Sequence, residues 1–331
     1  MQKAVGSPAE RVLVLNRTDV LTVLSWPGLI DAARRALIQE AQVSTPGGTP
    51  IPGFSTQVAL PGASLHVKAG VQAEPPVLSM KANLRPHAGD SSGAILAFDL
   101  SRQRLLAIVA SADITALRTA AIAAVAASRL LTVSPGTVAI LGAGAVGRRV
   151  DEALMHLGLA SEVRWWSRTP ANSLAAVAQS PDDVPHICCD SVKAAVAGAQ
   201  LVITCTPTRE PILQAEDPET DAVILAMGAD TPGKRELGPG LLESAGEVYT
   251  DIPADALLAG ESAYLPASHA SRIRPLGSLL ASDEAPNMFR DSPTRIVFDS
   301  VGSSAVDAAT VALLVEGATD ASLGTWIDFD G

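Results

Sequence analysis

A strand, a glycine-rich turn and a helix follow one another in residues 137–158, and this succession constrains the fold more than any other feature. The apolar segment TVAIL leads into three glycines and then into an amphipathic segment. In such a turn the first glycine permits a tight bend, the second lets a ligand approach the backbone, and the third lets helix and strand pack closely. The helix N-terminus supplies N–H donors for a pyrophosphate. We therefore predict a dinucleotide-binding turn made of Gly142, Ala143, Gly144, Ala145, Val146 and Gly147.

The segments that follow this turn alternate between apolar strands and helices. Strands are predicted at residues 138–141, 162–166, 186–189, 201–206, 222–227, 247–250 and 295–298. This alternation predicts an α/β fold, with a Rossmann-type doubly wound parallel sheet covered by helices on both faces. The strand-rich region before it predicts a smaller α+β domain. We place a substrate-binding and dimerisation domain at residues 1–116 and 306–331, and the dinucleotide-binding domain at 117–305.

The end of the second predicted Rossmann strand lacks the carboxylate that holds a ribose 2′-hydroxyl in many NAD-binding sheets. It reads Ser167-Arg168-Thr169 instead, and a guanidinium pairs with a phosphate through two parallel hydrogen bonds. We therefore favour NADP as the cofactor, bound through these three residues. NAD remains the alternative, with Arg168 as a solvated loop residue.

The formal net charge of −11 disfavours nucleic acid or an anionic membrane as the main partner, because such binding needs clustered cations. No segment approaches the roughly 20 consecutive apolar residues that span a bilayer. The three cysteines lack the number and spacing of a disulfide framework or zinc site, and no cluster of histidines and carboxylates indicates a metal. We expect a cytoplasmic protein without a metal.

Two predicted strands before the Rossmann segment carry cations on one face. In residues 77–85 the even-numbered positions are apolar and the odd-numbered positions from Ser79 to Arg85, Lys81 among them, are polar, so each set shares a face. Residues 64–69 alternate in the same way, with Lys68 on the polar face. We expect the apolar face to form the core and the polar face to direct both lysines into one cavity.

Four segments together resemble the ornithine cyclodeaminase and mu-crystallin family. They are ITALRTAA at 114–121, the glycine turn, GADTPGKREL at 228–237 and DSVG at 299–302, and the resemblance runs from about residue 65 to the end. It implies a homodimer that acts on a small amino or imino acid. By motif, Lys81 matches the family's active-site lysine, Arg118 its carboxylate-binding arginine and Asp230 its acid/base aspartate. Thr206 and Met227 are implied as further cofactor contacts.

The resemblance implies an NAD(P)H-dependent reductase of 2-imino acids, of ketimine or pyrroline-2-carboxylate type, or an amino-acid dehydrogenase. Arg118 would hold the substrate carboxylate, and Lys68 is the candidate to replace an arginine that many members carry upstream of the lysine. The alternatives are an ornithine cyclodeaminase, which has no use for a reducing NADPH pool, and a non-catalytic NADP-dependent ligand-binding protein. Each residue also has a structural interpretation: Arg118 on a helix surface, Lys81 in a solvated strand and Asp230 in a turn.

Overall fold

The structure is a computed structural model that describes residues 11–43, 53–86, 91–131, 136–286 and 294–329. Its strands and helices, numbered in chain order, are β1 (Val12–Leu15), α1 (Arg17–Val23), α2 (Trp26–Val43), β2 (Phe54–Leu60), β3 (Ala63–Gln72), β4 (Val77–Pro86), β5 (Ser92–Asp99), β6 (Arg104–Ala110), α3 (Ile114–Leu130), β7 (Thr137–Leu141), α4 (Ala145–His156), β8 (Glu162–Trp166), α5 (Pro170–Gln179), β9 (His186–Cys188), α6 (Val192–Val196), β10 (Leu201–Thr204), β11 (Val223–Ala226), α7 (Leu241–Ser244), β12 (Glu247–Thr250), α8 (Pro253–Ala259), β13 (Ile273–Pro275), α9 (Leu276–Leu280), β14 (Ile296–Asp299), α10 (Ser304–Asp320) and β15 (Thr325–Ile327). Two short 3₁₀ helices span Glu261–Tyr264 and Ala267–Arg272.

The chain divides into two compact units. The terminal unit takes the described residues of 1–36, 47–118 and 303–331, and the central unit takes those of 37–46 and 119–302. The boundaries fall inside α2 and α3. Residues 37–43, which the sequence had led us to place in the smaller domain, group with the central unit. Within that unit Gly277 lies so close to Leu37 that a Cβ on the glycine would meet the Leu37 carbonyl oxygen.

The central unit contains an eight-stranded sheet in which every described pair of neighbours is parallel. Its order is β13-β12-β14-β11-β10-β7-β8-β9. The strands β7, β10, β11 and β14 are almost entirely buried, as expected when helices cover both faces. The strand order reverses between β7 and β10, which is where open α/β sheets bind ligands. The predicted Rossmann-type fold class is confirmed.

The terminal unit contains a seven-stranded mixed sheet of order β15-β1-β6-β5-β4-β3-β2. Only β1 and β6 run parallel among its described pairs. One helix, α10, packs on β3 and β4, and its N-cap is Ser303, whose side chain accepts from the Val306 N–H. Small residues make this contact close: a Cβ on Gly70 would lie 2.5 Å from Ser304 atoms.

The prediction of which face of β4 is buried was wrong. The polar positions Ser79, Lys81 and Asn83 are buried, whereas the apolar positions between them are half-buried and Leu84 is 41% exposed. The alternation identified which side chains share a face, as predicted. It did not identify which face α10 covers, because that depends on a contact between distant segments.

Among the described residues, the structure contains no helix of the length and apolar character needed to cross a membrane.

Candidate active site

The glycine turn between β7 and α4 has the geometry that its sequence predicts. Gly142 has φ of +124°, which side chains strongly disfavour, and a Cβ on Gly147 would lie 2.1 Å from the Gly142 carbonyl oxygen. A Cβ on Gly144 would have no atom of the described chain within 4 Å, so the space beside the backbone is open. No described side chain caps α4, and its first N–H groups therefore face that space unpaired. An anionic pyrophosphate fits this arrangement.

The segment after β8 differs in exposure from residue to residue. Arg168 and Thr169 are exposed, whereas Ser167 is half-buried and its hydroxyl donates to the Thr169 carbonyl oxygen at 2.6 Å. Thr169 directly precedes α5, as its N-cap residue. An exposed guanidinium at the end of the second Rossmann strand is free to turn toward a ligand on that edge, at the cost of ordering its long side chain.

Thr206 lies beside the glycine turn, because its Cγ2 would be 3.0 Å from a Cβ on Gly142. The fully buried carboxylate of Glu236 fixes this threonine by accepting its backbone N–H at 2.6 Å and its hydroxyl at 2.7 Å. The same carboxylate accepts the Thr204 hydroxyl and the Gly228 N–H, each at 2.7 Å. Burial raises the pKa of Glu236, although all four donors favour its ionised form. Glu236 thus joins the ends of β10 and β11.

Met227 and Asp230 follow β11. Met227 is buried, and its N–H donates to the Thr204 carbonyl oxygen. Asp230 is partly exposed, and its carboxylate lies 2.5 Å from the Lys234 ammonium four residues later. Lys234 therefore balances the charge of the candidate acid/base residue, a contact that was not predicted from the sequence.

In the terminal unit, Lys81 and Arg118 converge on one buried carboxylate, that of Asp307 in α10. The Lys81 Nζ lies 2.9 and 2.7 Å from the two Asp307 oxygens. The Arg118 Nε lies 3.2 Å from one of them, an ion pair by distance whose N–H is not aligned for a hydrogen bond. All three side chains are at least nine-tenths buried. Arg118 is therefore not a helix-surface residue and Lys81 is not a solvated strand lysine.

Lys68 belongs to the same cluster, since it is the register partner of Lys81 on the neighbouring strand β3. Paired residues of antiparallel strands share a face, so both lysines point to the α10 side of the sheet. The close contact between Gly70 and Ser304 sets the helix over this face, one turn before Asp307. The sheet and the helix together gather three cations around one anion.

Burial and the charge of the partner have opposing effects on the pKa values of Lys81 and Asp307. Burial lowers the pKa of Lys81 to about 8, with the charge of Asp307 opposing the shift and those of Arg118 and Lys68 adding to it. Burial alone would raise the pKa of Asp307, but the neighbouring cations hold it below its ordinary value. At neutral pH the Lys81 ammonium and the Asp307 carboxylate are both ionised.

The structure therefore brings the predicted site residues together in two groups. Lys68, Lys81 and Arg118 meet in the terminal unit, and the dinucleotide candidates lie with Asp230 in the central unit. Asp307 and Glu236 were not predicted from the sequence. Asp307 had a signal, because it is the only charged residue in the first twelve positions of an otherwise apolar helix and a buried charge needs a partner. Glu236 lies in the family motif at residues 228–237, but its acceptor role was not visible there, because it depends on strand ends that meet only in the folded sheet.

Known proteins are similar to this chain in sequence and in fold. The ketimine reductase mu-crystallin of Mus musculus is 33% identical over 67% of this chain and 68% of its own length. The L-lysine cyclodeaminase of Streptomyces rapamycinicus is 31% identical over 70% of this chain and 67% of its own length. The iminosuccinate reductase of Paracoccus denitrificans, solved in complex with NAD+, superposes with a TM-score of 0.85 over 96% of this chain and 99% of that chain at 23% identity, which establishes the shared fold.

The model of the ornithine cyclodeaminase/mu-crystallin family matches residues 86–322, which include Arg118, the glycine turn, Asp230 and Asp307. The match and the two sequence relatives confirm what the four sequence segments predicted: the chain belongs to the ornithine cyclodeaminase/mu-crystallin family.

Proposed function

We propose that this protein is an NAD(P)H-dependent reductase of 2-imino acids, equivalently an amino-acid dehydrogenase working in reverse. The observation that carries the proposal is the buried pair of cations, Lys81 and Arg118, in a chain that also contains an open dinucleotide turn. Two cations share one protein anion, so the cluster retains net positive charge for a substrate carboxylate. In an acidic chain such a pocket must be built locally.

Arg118 and Lys81 bind the substrate carboxylate, with Lys68 adding positive charge. A fixed carboxylate leaves the neighbouring imine carbon in a defined position, which lowers the entropic barrier to reaction. Lys81 has a pKa of about 8, so it is protonated at neutral pH but gives up its proton more easily than an ordinary lysine. Asp230, ion-paired with Lys234, exchanges a proton with the substrate nitrogen. The terminal unit serves as the substrate and dimerisation domain, and the central unit as the dinucleotide domain.

The residues of the glycine turn fit a nicotinamide dinucleotide, because the space beside Gly144 and the N–H groups of α4 accept a pyrophosphate. When bound, the cofactor supplies the hydride. Arg168, with Ser167 and Thr169, holds a 2′-phosphate, which makes NADP the preferred form over NAD. Thr206 and Met227 line the same edge, and Glu236 keeps Thr206 in place.

The protein works as a homodimer formed through the sheet face opposite α10. This face carries an apolar row in which Val58, Leu65 and Leu84 are register partners on three strands, with Val58 46% exposed and Leu84 41% exposed. A contiguous apolar sheet face of this kind marks an interface, and a second copy presents the same surface around a two-fold axis. We assign the protein to the cytoplasm, where its three free cysteines stay reduced.

One panel of assays tests the reaction. Purified protein receives NADPH with pyrroline-2-carboxylate, with piperideine-2-carboxylate, or with pyruvate and an amine, and separately ornithine with trace NAD. Consumption of NADPH, abolished by Arg118→Ala, is the expected result. Ammonia and proline formed from ornithine without net redox change would replace the proposal by a cyclodeaminase. Tight dinucleotide binding without turnover of any substrate would favour the ligand-binding protein.

A further inference from the structure

Asp307 is the anion that contacts Lys81, and the other charged groups shown to act on this lysine are cations. Lys68 approaches from β3, Arg118 from α3 and Asp307 from α10, while β5 contributes the apolar Ile95 opposite Lys81. Asp307 is 1% exposed, and its position in the first turn of α10 adds the favourable effect of a helix N-terminus on an anion. The cluster without Asp307 would consist of three cations in a buried site.

A role in holding α10 on the sheet does not explain why Asp307 carries a charge. The helix α10 is already held by buried apolar residues such as Val306 and Val311 and by the contact of Ser304 with Gly70. Buried ion pairs replaced by apolar residues of similar size are often neutral in stability, so packing alone has no need of the carboxylate. The two contacts from Lys81, at 2.9 and 2.7 Å, instead point to an effect on the lysine.

We propose that Asp307 is a positioning residue that keeps Lys81 protonated at neutral pH and orients its ammonium group toward the substrate. This inference rests on the proposed function. The Lys81 Nζ carries three N–H bonds and contacts both oxygens of Asp307, which leaves at least one N–H directed away from the carboxylate. That remaining N–H meets the substrate. Burial and the charges of Arg118 and Lys68 favour loss of the Lys81 proton, and Asp307 opposes them.

The test measures the titration of Lys81 directly, by NMR of ¹⁵N-lysine-labelled protein, with the Lys81 signal assigned by its loss in Lys81→Met. The wild-type midpoint is expected near pH 8. Asp307→Asn should lower it by at least about one pH unit, which is a tenfold fall in the ratio of protonated to neutral lysine at a given pH. The matched control is Thr310→Val, one turn further along α10, where a buried hydroxyl bonds only its own helix and no change is expected. An unchanged midpoint in Asp307→Asn would overturn the inference.

Activity provides the second readout. With NADPH and pyrroline-2-carboxylate as substrates, the alkaline fall of kcat/KM should move to lower pH in Asp307→Asn, together with the NMR midpoint. Asp307→Glu retains the negative charge and should return this fall of kcat/KM close to the wild-type pH. A parallel loss at every pH, with the pH of this fall unchanged, would mean a structural role only. If Asp307→Asn fails to fold, Asp307→Ser removes the same charge from a smaller side chain and should also lower the Lys81 midpoint. An unchanged midpoint in Asp307→Ser would likewise overturn the inference. The NMR titration does not depend on turnover, so a protein without reductase activity would still decide this proposal.

Discussion

The carboxylate of Glu236 accepts both the backbone N–H and the hydroxyl of Thr206, and it thereby holds the end of one Rossmann strand against the residue that packs beside Gly142. Glu236 lies 30 residues further along the chain than Thr206 and is fully buried. The backbone N–H of Glu236 donates to the side-chain carboxylate of Glu261. The backbone N–H of Glu261 in turn donates to the carboxylate of Asp299. A chain of buried carboxylates thus supports the edge of the sheet that we assign to the dinucleotide.

Replacing Glu236 by Gln should weaken both folding and dinucleotide binding. The amide group turns one acceptor into a donor, so at least one buried donor loses its partner at a cost of about 1–3 kcal/mol. The urea unfolding midpoint should fall and the KM for NADPH should rise. Glu216→Gln, at an exposed position of the same unit, is the control. Wild-type values of both quantities would contradict this assignment.

Gly144 and Gly147 should respond differently to alanine. At Gly147 the new Cβ would lie 2.1 Å from a backbone oxygen, so Gly147→Ala should destabilise the protein by about 1–3 kcal/mol even without cofactor. At Gly144 the Cβ enters open space, so Gly144→Ala should keep its thermal midpoint and lose dinucleotide affinity. Thermal melts and cofactor titrations measure the two effects, and a Gly144→Ala protein with wild-type dinucleotide affinity would argue against a ligand beside Gly144.

Arg168→Ala should raise the KM for NADPH far more than the KM for NADH. Charged hydrogen bonds to a phosphate contribute about 1.5–3 kcal/mol, which corresponds to a change on the order of 10- to 100-fold. Arg149→Ala, which removes a helix cation paired with Glu152, should affect both cofactors equally. Equal changes for the two cofactors in Arg168→Ala would remove the basis for preferring NADP.

The stability of the protein should fall as pH rises from 6 to 8. Burial raises the pKa of Asp299 to about 7 and that of Glu261 to about 8. A raised folded pKa contributes stability that is complete below the unfolded value and is lost as pH rises through the folded value. The free energy of unfolding in urea should therefore drop by about 1–3 kcal/mol over this window. Asp299→Asn should flatten the profile, whereas Glu216→Gln should leave its slope unchanged.

Val58→Asp should convert the proposed dimer into a monomer, because a carboxylate buried in an apolar interface has no partner. Sedimentation velocity gives the mass of each species. Leu174→Asp places the same charge at a 58% exposed apolar position of α5 in the central unit and should leave the dimer intact. A wild-type monomer, or a Val58→Asp protein that stays dimeric, would refute the assigned interface.

Local patterns in the sequence predicted seven of the eight strands of the Rossmann sheet, all but the short β13. Residues 137–166 alone contain a strand, three glycines at the required spacing, a helix and a second strand, and the structure places each of them within one or two residues of its prediction. Propensity and periodicity act over short distances, so this information is local to the segment. The positive φ of Gly142 is likewise local, because the turn requires it and glycine is the residue that adopts it most easily.

The residues of the candidate site were identified from the sequence, but their contacts were found only in the structure. Lys68, Lys81 and Arg118 were identified from alternation and from motifs, because their residue types and positions are visible in the chain. The contact of Lys81 with Asp307 was not, since the two residues are 226 positions apart and meet only when α10 lies on β3 and β4. Which face of β4 is buried was decided by the same contact.

The sequence by itself thus determined the parallel sheet, the glycine turn and the residue types available for binding a carboxylate, because each follows from short-range geometry. Only the tertiary structure decided the charge environment of those residues. Burial and the distances between charges set the pKa of Lys81, Asp299 and Glu261, and both quantities arise from packing between segments far apart in the chain.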